Sequence, residues 1–573
     1  MGAGRYLAYE STMKQLIQDA RMGFAGGVNQ IILHGYPSST NYVNTSWPGL
    51  TPFVYEFSEM HSPRQPAWRH YDQYMEMFGR EMWFLRKGRP QVDVAVFHYG
   101  WDLQANATDK TLKNVVFQSD ALTRAGYSYE YVSSYALGLV GVDIQNGILA
   151  PGGPAYKALL INRQQNMTVK AVQQVLDFAH AGLPIVILGD VPDDIPGFDI
   201  GGAGKTTINS TMQTLLKLQN VDQVMNESKV PASLARLGNS PSANITSGIK
   251  DYPPIVRKRV DNETIYYYVF NQGSSSQFNI GFEVAFSASA HPFVLDQLTG
   301  EVSPLPLWNL TTDNDTSRLY TDLTIATNQS VLLAIHNQAK FQGATSLPQH
   351  LSRLDSSIKA VSATNGSSIE LSSYSSGNFS YTLSNGTENH AQFSLGNLSP
   401  MNLTSWNLTI ESWTATSNLS DVATRKTNSS LELKSGLVPW DQLPNHYNTS
   451  GIGFYTTTFD WNVTASTGAE LQQSNIFHTQ KVYLNGRLLP VVDPMVPACD
   501  ISKWLVQGEN VLTVEIATPL LNALNVYSDD KIESVGYTRA RKLAEGKVKR
   551  GHQKYGLTGT VQIVPVANYR IML

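Results

Sequence analysis

The sequence predicts a multidomain chain in which α/β segments come first and all-β segments follow. Three observations carry that prediction. Apolar strands alternate with amphipathic helices up to about residue 250. After Pro253-Pro254 the helical spacing stops and short alternating strands with turn residues take over. The length, 573 residues, allows about three to five domains at roughly 100–200 residues each.

Residues 5–24 space Leu7, Met13, Leu16, Ile17 and Ala20 as one apolar helix face, and Gly26-Gly27 ends it. Val28–Pro37 then reads as a mostly apolar strand broken by Gly35 and Pro37. A polar loop runs to about Gln65, and a helix rich in Met, Trp, Tyr and Phe covers about 66–87. Helix, strand, loop and helix make one α/β repeat, assigned to residues 1–88. A second α/β domain spans 89–250. Its strands are 92–97, 127–131, 158–161 and 184–189, and its helices are 112–126 and 169–181. Such alternation indicates a parallel sheet with helices on both faces. Residues 251–341 read as a β-sandwich. Residues 342–399 are Ser/Asn/Gly-rich, a linker or a glycosylated β insertion. Residues 400–573 alternate again, with Asn485-Gly486 as a type I′ hairpin signal, and fit a jelly-roll sandwich.

Composition excludes several function classes. The net charge is −4, with 42 basic and 46 acidic residues and no basic stripe, so no nucleic-acid partner is expected. No apolar run approaches about 18 residues, so no transmembrane helix is expected. The single cysteine, Cys499, excludes an intrachain disulfide and reads as a buried small residue. Twenty Asn-x-Ser/Thr sequons occur among 38 asparagines. With Ser and Thr at about a sixth of positions, chance would give roughly six. This excess points to a secreted, N-glycosylated chain. The N-terminus shows no signal peptide, so one is expected upstream of this sequence.

Two motifs fail on spacing. Gly201-Gly202-Ala203-Gly204-Lys205-Thr206 resembles the end of a phosphate-cradling loop, but the required first glycine is Asp199. It reads as a flexible glycine loop. No Gly-x-Gly-x-x-Gly follows the first strand of the second domain, so a dinucleotide site is not expected.

The chemistry is expected after Val28–Pro37, because α/β barrels place active residues beyond the C-terminal ends of strands. Glu56 and Glu59 are the candidate catalytic carboxylates. In glycoside hydrolysis one carboxyl protonates the leaving oxygen while the other activates water or attacks; the alternative is a pair of solvated loop charges. His34, Tyr36, Trp47, His61 and Arg64 are the candidate substrate contacts. Trp47 would stack on a sugar face or pack as a loop aromatic, and His34 would face a ligand or sit satisfied in a core.

Gly27–Pro37, Trp47-Pro48-Gly49 and Gly88-x4-Asp93 together resemble the end of the catalytic (β/α)8 barrel of glycoside hydrolase family 106, the α-L-rhamnosidases. The second domain resembles amidotransferase-like domains, whose cysteine nucleophile it lacks. Gly451–Phe459, Val482–Gly486, Trp504–Leu512 and Tyr555–Gly559 resemble the galactose-binding-like jelly roll of families 2 and 106. The resemblance implies the tail of a barrel in 1–88, a non-catalytic amidotransferase-like domain, a β-sandwich and a terminal jelly roll. It also implies a carbohydrate substrate and allows calcium as the one cofactor, without placing metal ligands. About 88 residues are too few for a barrel of about 200–250, so low activity is expected of the chain alone. A carbohydrate-binding glycoprotein and a β-galactosidase-like enzyme with the same accessory domains are the alternatives.

Overall fold

A computed structural model of the chain describes residues 9–36, 47–49, 61–97, 119–139, 142–286, 290–313, 316–464, 466–527 and 551–573. The chain divides into two compact units. One comprises 1–83, 295–306 and 342–573, the other 84–294 and 307–341.

Helix α1, Met13–Ala25, begins at a capping box. Thr12 Oγ1 accepts from the Gln15 amide, and Gln15 Oε1 accepts from the Thr12 amide at 3.1 Å. Its buried face holds Met13, Leu16, Ile17, Ala20 and Phe24, matching the expected spacing. Arg21 lies on the same buried face. It pairs with Glu81 at 3.3 Å and Asp493 at 2.8 Å. The expected 66–87 helix is a 3₁₀ turn, Pro66–His70, leading into helix α2, Tyr71–Leu85. The expected strand at 28–37 is not formed among its described residues, 28–36. Ile32 is 82% exposed. A strand exists only as part of a hydrogen-bonded ladder, and among the described residues 28–36 pairs with no strand.

The second unit opens with β1, Arg89–Gln91, and β2, Val94–Phe97. It continues through α3, Asp120–Arg124, β3, Tyr129–Val132, and β4, Ala158–Asn162. Helix α4, Val169–His180, strand β5, Ile185–Leu188, and helix α5, Ala203–Leu215, follow. Strand β6, Val221–Val224, and helix α6, Val230–Arg236, close the series. The sheet order is β3-β2-β4-β5-β6, every pair parallel, as the alternation implied. The glycine motif at 201–206 is not a flexible loop: Gly202 takes the left-handed cap position of α5 at φ 73°, and the Asp199 carboxylate accepts from the Gly204 and Lys205 amides at 2.9 and 2.8 Å. The chain's own carboxylate thus fills the place a phosphate would take.

A sandwich completes this unit. Its strands are β7, Ala243–Ser247, β8, Ile255–Val260, β9, Thr264–Phe270, β10, Gln277–Val284, and β11, His291–Leu295. The last three are β12, Asn309–Asp313, β13, Thr316–Thr324, and β14, Ser330–His336. One sheet runs β1-β8-β9-β14-β11 and the other β12-β13-β10-β7. Strand β1 therefore belongs to the sandwich sheet, although it precedes the parallel strands. Lys157 links the buried Asp93 at 3.1 Å to Glu283 at 2.9 Å, and Lys258 also meets Glu283 at 2.9 Å. Burial alone would raise the Glu283 carboxyl; the two ammonium groups outweigh it and hold it at about 2.

Residues 342–399 are not a linker. They form β15, Leu351–Leu354, β16, Lys359–Ser362, β17, Ser368–Ser373, β18, Gly377–Leu383, and β19, Glu388–Phe393. Ile369, Leu371, Tyr381, Ala391 and Phe393 point inward between polar neighbours, so a Ser-rich stretch still has a strand's period of two. The remaining strands are β20, Met401–Asn402, β21, Trp406–Ala415, β22, Thr424–Leu433, β23, Gly451–Trp461, and β24, Thr467–Gln473. Then come β25, Thr479–Leu484, β26, Arg487–Leu488, β27, Ala498–Asp500, β28, Gly508–Ala517, and β29, Val561–Met572. One sheet runs β22-β21-β23-β28-β25-β26; the other runs β16-β17-β29-β24-β27, with β20 on β29. Strands β15-β18-β19 form a third. Trp406, Trp440, Tyr455, Leu512, Val514 and Ile563 share the core between strands. Asn485 and Gly486 both have positive φ in the β25–β26 hairpin, as their dipeptide predicts. Cys499 is half-buried rather than fully buried, and burial pushes its thiol up to about 12.

Candidate functional site

Gly35, at φ 107°, turns the chain so that its carbonyl accepts from the His61 amide at 2.8 Å. That bond joins 28–36 to the start of the 61–70 segment. There Ser62 organises the descent into the 3₁₀ turn. Its hydroxyl accepts from the Arg64 amide at 3.2 Å and its carbonyl from the Gln65 amide at 3.0 Å. Pro66 then opens the turn, where no amide donor is needed.

These two segments bring five rings together. Tyr36 meets Trp68 edge-on with centroids 6.1 Å apart, and Trp68 meets Tyr71 at 5.1 Å. His61 lies 5.7 Å from Tyr71, and its Nδ1 is 3.2 Å from the Tyr71 hydroxyl. Tyr36 and Trp68 are 57% and 37% exposed, and His34 is exposed beside them, while His61 is buried. Burial, reinforced by nearby His34, lowers the His61 pKa to about 4. At neutral pH His61 is therefore an uncharged ring that offers one donor and one acceptor. Exposed flat rings beside neutral polar groups match what a sugar presents: apolar C–H faces and hydroxyls at the rim.

The patch rests on a rigid floor. His70 donates or accepts at both ring nitrogens, 3.0 Å from Thr479 Oγ1 and 3.0 Å from Glu515 Oε1. Arg69 pairs with the same Glu515 at 2.5 Å and lies over the Phe454 ring at 5.9 Å. Two neighbours of Trp68 are thus tied to the terminal sandwich.

The structure divides the expected site residues. It brings His34, Tyr36 and His61 together. Trp47 stands apart from a binding role here: it is 1% exposed, its Nε1 donates to Thr424 Oγ1 at 3.0 Å, and it packs with Tyr9, Trp413, Ile452 and Leu520. A ring so covered has no face left for a sugar. Arg64 donates from its guanidinium to the Val422 carbonyl and so helps anchor its segment. Glu56 and Glu59 lie outside the described residues. Sequence reading missed Trp68 and Tyr71. The expected 66–87 helix was rich in aromatics, and nothing in the sequence singled out Trp68 as exposed beside the buried Tyr71.

Among the described residues, no group of three or more His, Cys, Asp and Glu side chains could hold a metal ion. No helix among them is long and apolar enough to cross a membrane.

The family model described as alpha-L-rhamnosidase, glycoside hydrolase family 106, matches residues 1–307. The solved rhamnosidase from Novosphingobium sp. PP1Y superposes with a TM-score of 0.63 at 15% identity, covering 98% of this chain and 47% of that one. At that identity the likeness is one of fold. A putative beta-glucuronidase from Formosa agariphila is 20% identical over 325 residues, 55% of this chain and 25% of the relative. The chain thus spans about half the length of the rhamnosidase and a quarter of that relative. Because the family model covers more than half of its 573 residues, the chain belongs to glycoside hydrolase family 106, the α-L-rhamnosidases.

Proposed function

We propose that the chain supplies a sugar-contacting surface of a secreted, N-glycosylated α-L-rhamnosidase that acts on plant or microbial rhamnosides. The observation that carries this is the Tyr36–Trp68–Tyr71–His61 cluster with exposed His34, set within the family-matched segment. Trp68 and Tyr36 would stack on the ring faces, and His34 and His61 would bond hydroxyls. Glu56 and Glu59 remain the proposed carboxylates. Among the described residues the patch contains no carboxylate. The second reading is a carbohydrate-binding glycoprotein without hydrolytic activity.

Titration with L-rhamnose, followed by calorimetry, tests the binding. Trp68→Ala should weaken it by about 1 kcal/mol, roughly fivefold in affinity, for a lost aromatic face. His34→Ala should weaken it in the same direction. Unchanged affinity in a folded Trp68→Ala protein would sink the assignment. Hydrolysis of an aryl α-L-rhamnoside separates the two readings. Slow turnover abolished by Glu56→Gln or Glu59→Gln supports the enzyme, and binding without turnover supports the second.

A further inference from the structure

The sequons and the burial pattern are segregated in a way that composition does not explain. Asn44, Asn106 and Asn314 lie outside the described residues, and none of the other seventeen sequon asparagines is buried. Among the described residues five asparagines are buried, Asn162, Asn239, Asn271, Asn510 and Asn522, and none of them is in a sequon. The buried amides are used: Asn271 Nδ2 donates to the Ser275 and Ile325 carbonyls at 2.6 and 2.8 Å, and Asn522 Nδ2 to the Gln553 carbonyl at 2.7 Å. A glycan on such a nitrogen has no room and removes a donor. An incidental excess of Asn, Ser and Thr would scatter sequons over both classes.

Sequons fall on inner strands, Asn378 on β18 and Asn407 on β21, and also on outer ones. In the sheet β12-β13-β10-β7 both outer strands carry a sequon, Asn309 on β12 and Asn244 on β7. Strand β22, with Asn428, is the outer strand of β22-β21-β23-β28-β25-β26. Asn309 and Asn428 are exposed; Asn244 is half-buried and donates to the Tyr320 hydroxyl at 3.0 Å. Outer strands present unpaired amides and carbonyls that template pairing with other chains, and proteins usually blunt them with charge. Charge is 15% of the whole chain, although β22 itself carries Arg425, Lys426 and Glu432. Strand β12, Asn-Leu-Thr-Thr-Asp, has one ionisable residue and a partly exposed Leu310.

We infer that N-linked glycans on Asn309 and Asn428 guard the outer strands of these two sheets, as the described residues form them, against edge-to-edge association. The inference rests on the secreted, glycosylated part of the proposed function and is independent of its rhamnosidase part. In the modification, the asparagine amide nitrogen bonds the anomeric carbon of a polyprenyl-pyrophosphate-linked oligosaccharide. The anomeric C–O bond breaks, the polyprenyl pyrophosphate leaves with its electron pair, and the amide proton passes to a base.

The full chain, secreted from yeast behind a signal peptide, tests this. Glycopeptide mass spectrometry after enzymatic deglycosylation in ¹⁸O water should show occupancy at Asn309 and Asn428. In light scattering, Asn309→Gln/Asn428→Gln should give several-fold more aggregate at an unchanged melting temperature. Thr311→Ala/Ser430→Ala, which removes both sequons but keeps both asparagines, should behave alike. Asn365→Gln, at an exposed loop sequon between β16 and β17, should stay monomeric. Empty Asn309 and Asn428, or a double variant as monomeric as the parent, would overturn the inference. So would aggregation of the Gln variant without that of the Ala variant. Aryl-rhamnoside turnover, read on the same samples, fails or succeeds separately.

Discussion

His478 shows how much a single buried ring can weigh on acid stability. It is 3% exposed, wedged edge-on against Phe477 and Tyr555 at 4.4 and 4.8 Å, and neither ring nitrogen has a hydrogen-bond partner among the described residues. Burial lowers its pKa from 6.5 to about 3. The unfolded chain therefore takes up a proton at a higher pH than the folded chain. The contribution of the neutral ring is complete above about pH 6.5 and is lost as pH falls toward about 3. His478→Phe keeps the aromatic shape and removes that titration. Its urea midpoint should flatten over this window and stay within about 1 kcal/mol of the parent at pH 7; an unchanged pH slope would refute the account. At this scale the sequence was legible in type but not in direction. Trp47 and Trp68 look alike as loop and helix tryptophans, yet one is sealed under Tyr9 and Trp413 and the other faces outward. Which way a ring points depends on partners hundreds of residues away, such as Thr424.

Among elements, the pairing of α1 with α2 depends on one fully buried cation. Arg21 meets Glu81 from α2 and Asp493 from the terminal sandwich, all three nearly inaccessible to water. Removing one acid leaves charge uncompensated in a medium that solvates it poorly. Glu81→Ala or Asp493→Ala should cost about 3–5 kcal/mol in denaturant unfolding. Arg21→Met with both acids replaced by Leu should recover much of that loss. A cost below about 1 kcal/mol for Asp493→Ala would show that the pair is not the clamp described. The α1 apolar face was legible because Leu16, Ile17 and Ala20 repeat at helical spacing. Arg21 was not, because arginine in a pattern reads as solvated until its acids are known. Residues 28–36 reversed the same logic: an apolar run reads as a strand, but pairing partners decide whether one forms. The Ser-rich 342–399 segment left linker and β insertion both open, since its inward residues are few, and the strands found there agree with the second.

In the molecule as a whole, the parallel pairing of the second unit's sheet followed from alternation, its strand order and β6 did not, and the terminal sandwich followed from its alternation and hairpin signals. The way β29 closes that sandwich was not readable. It pairs with β17 on one side and β24 on the other, joining Ile369 to Ile571 and Leu471 to Ile563. Truncation after Thr560 would strip two strands of their central partner. Limited proteolysis should then cut the 342–527 region rapidly while leaving the 84–294 core protected, and equal resistance of both regions would refute a central role for β29.

That closing strand also sets a timetable. A ribosome has delivered every residue of the second unit by Phe341, while the first unit lacks its last structural strand until Met572 emerges. Helix α1 meets the Asp493 that neutralises Arg21 only after more than four hundred further residues have been made. Arg21 can meet Glu81 within sixty residues of its own synthesis, but its second acid comes only near the end of the chain. The first unit therefore completes its buried charge cluster later than the second unit completes its sequence.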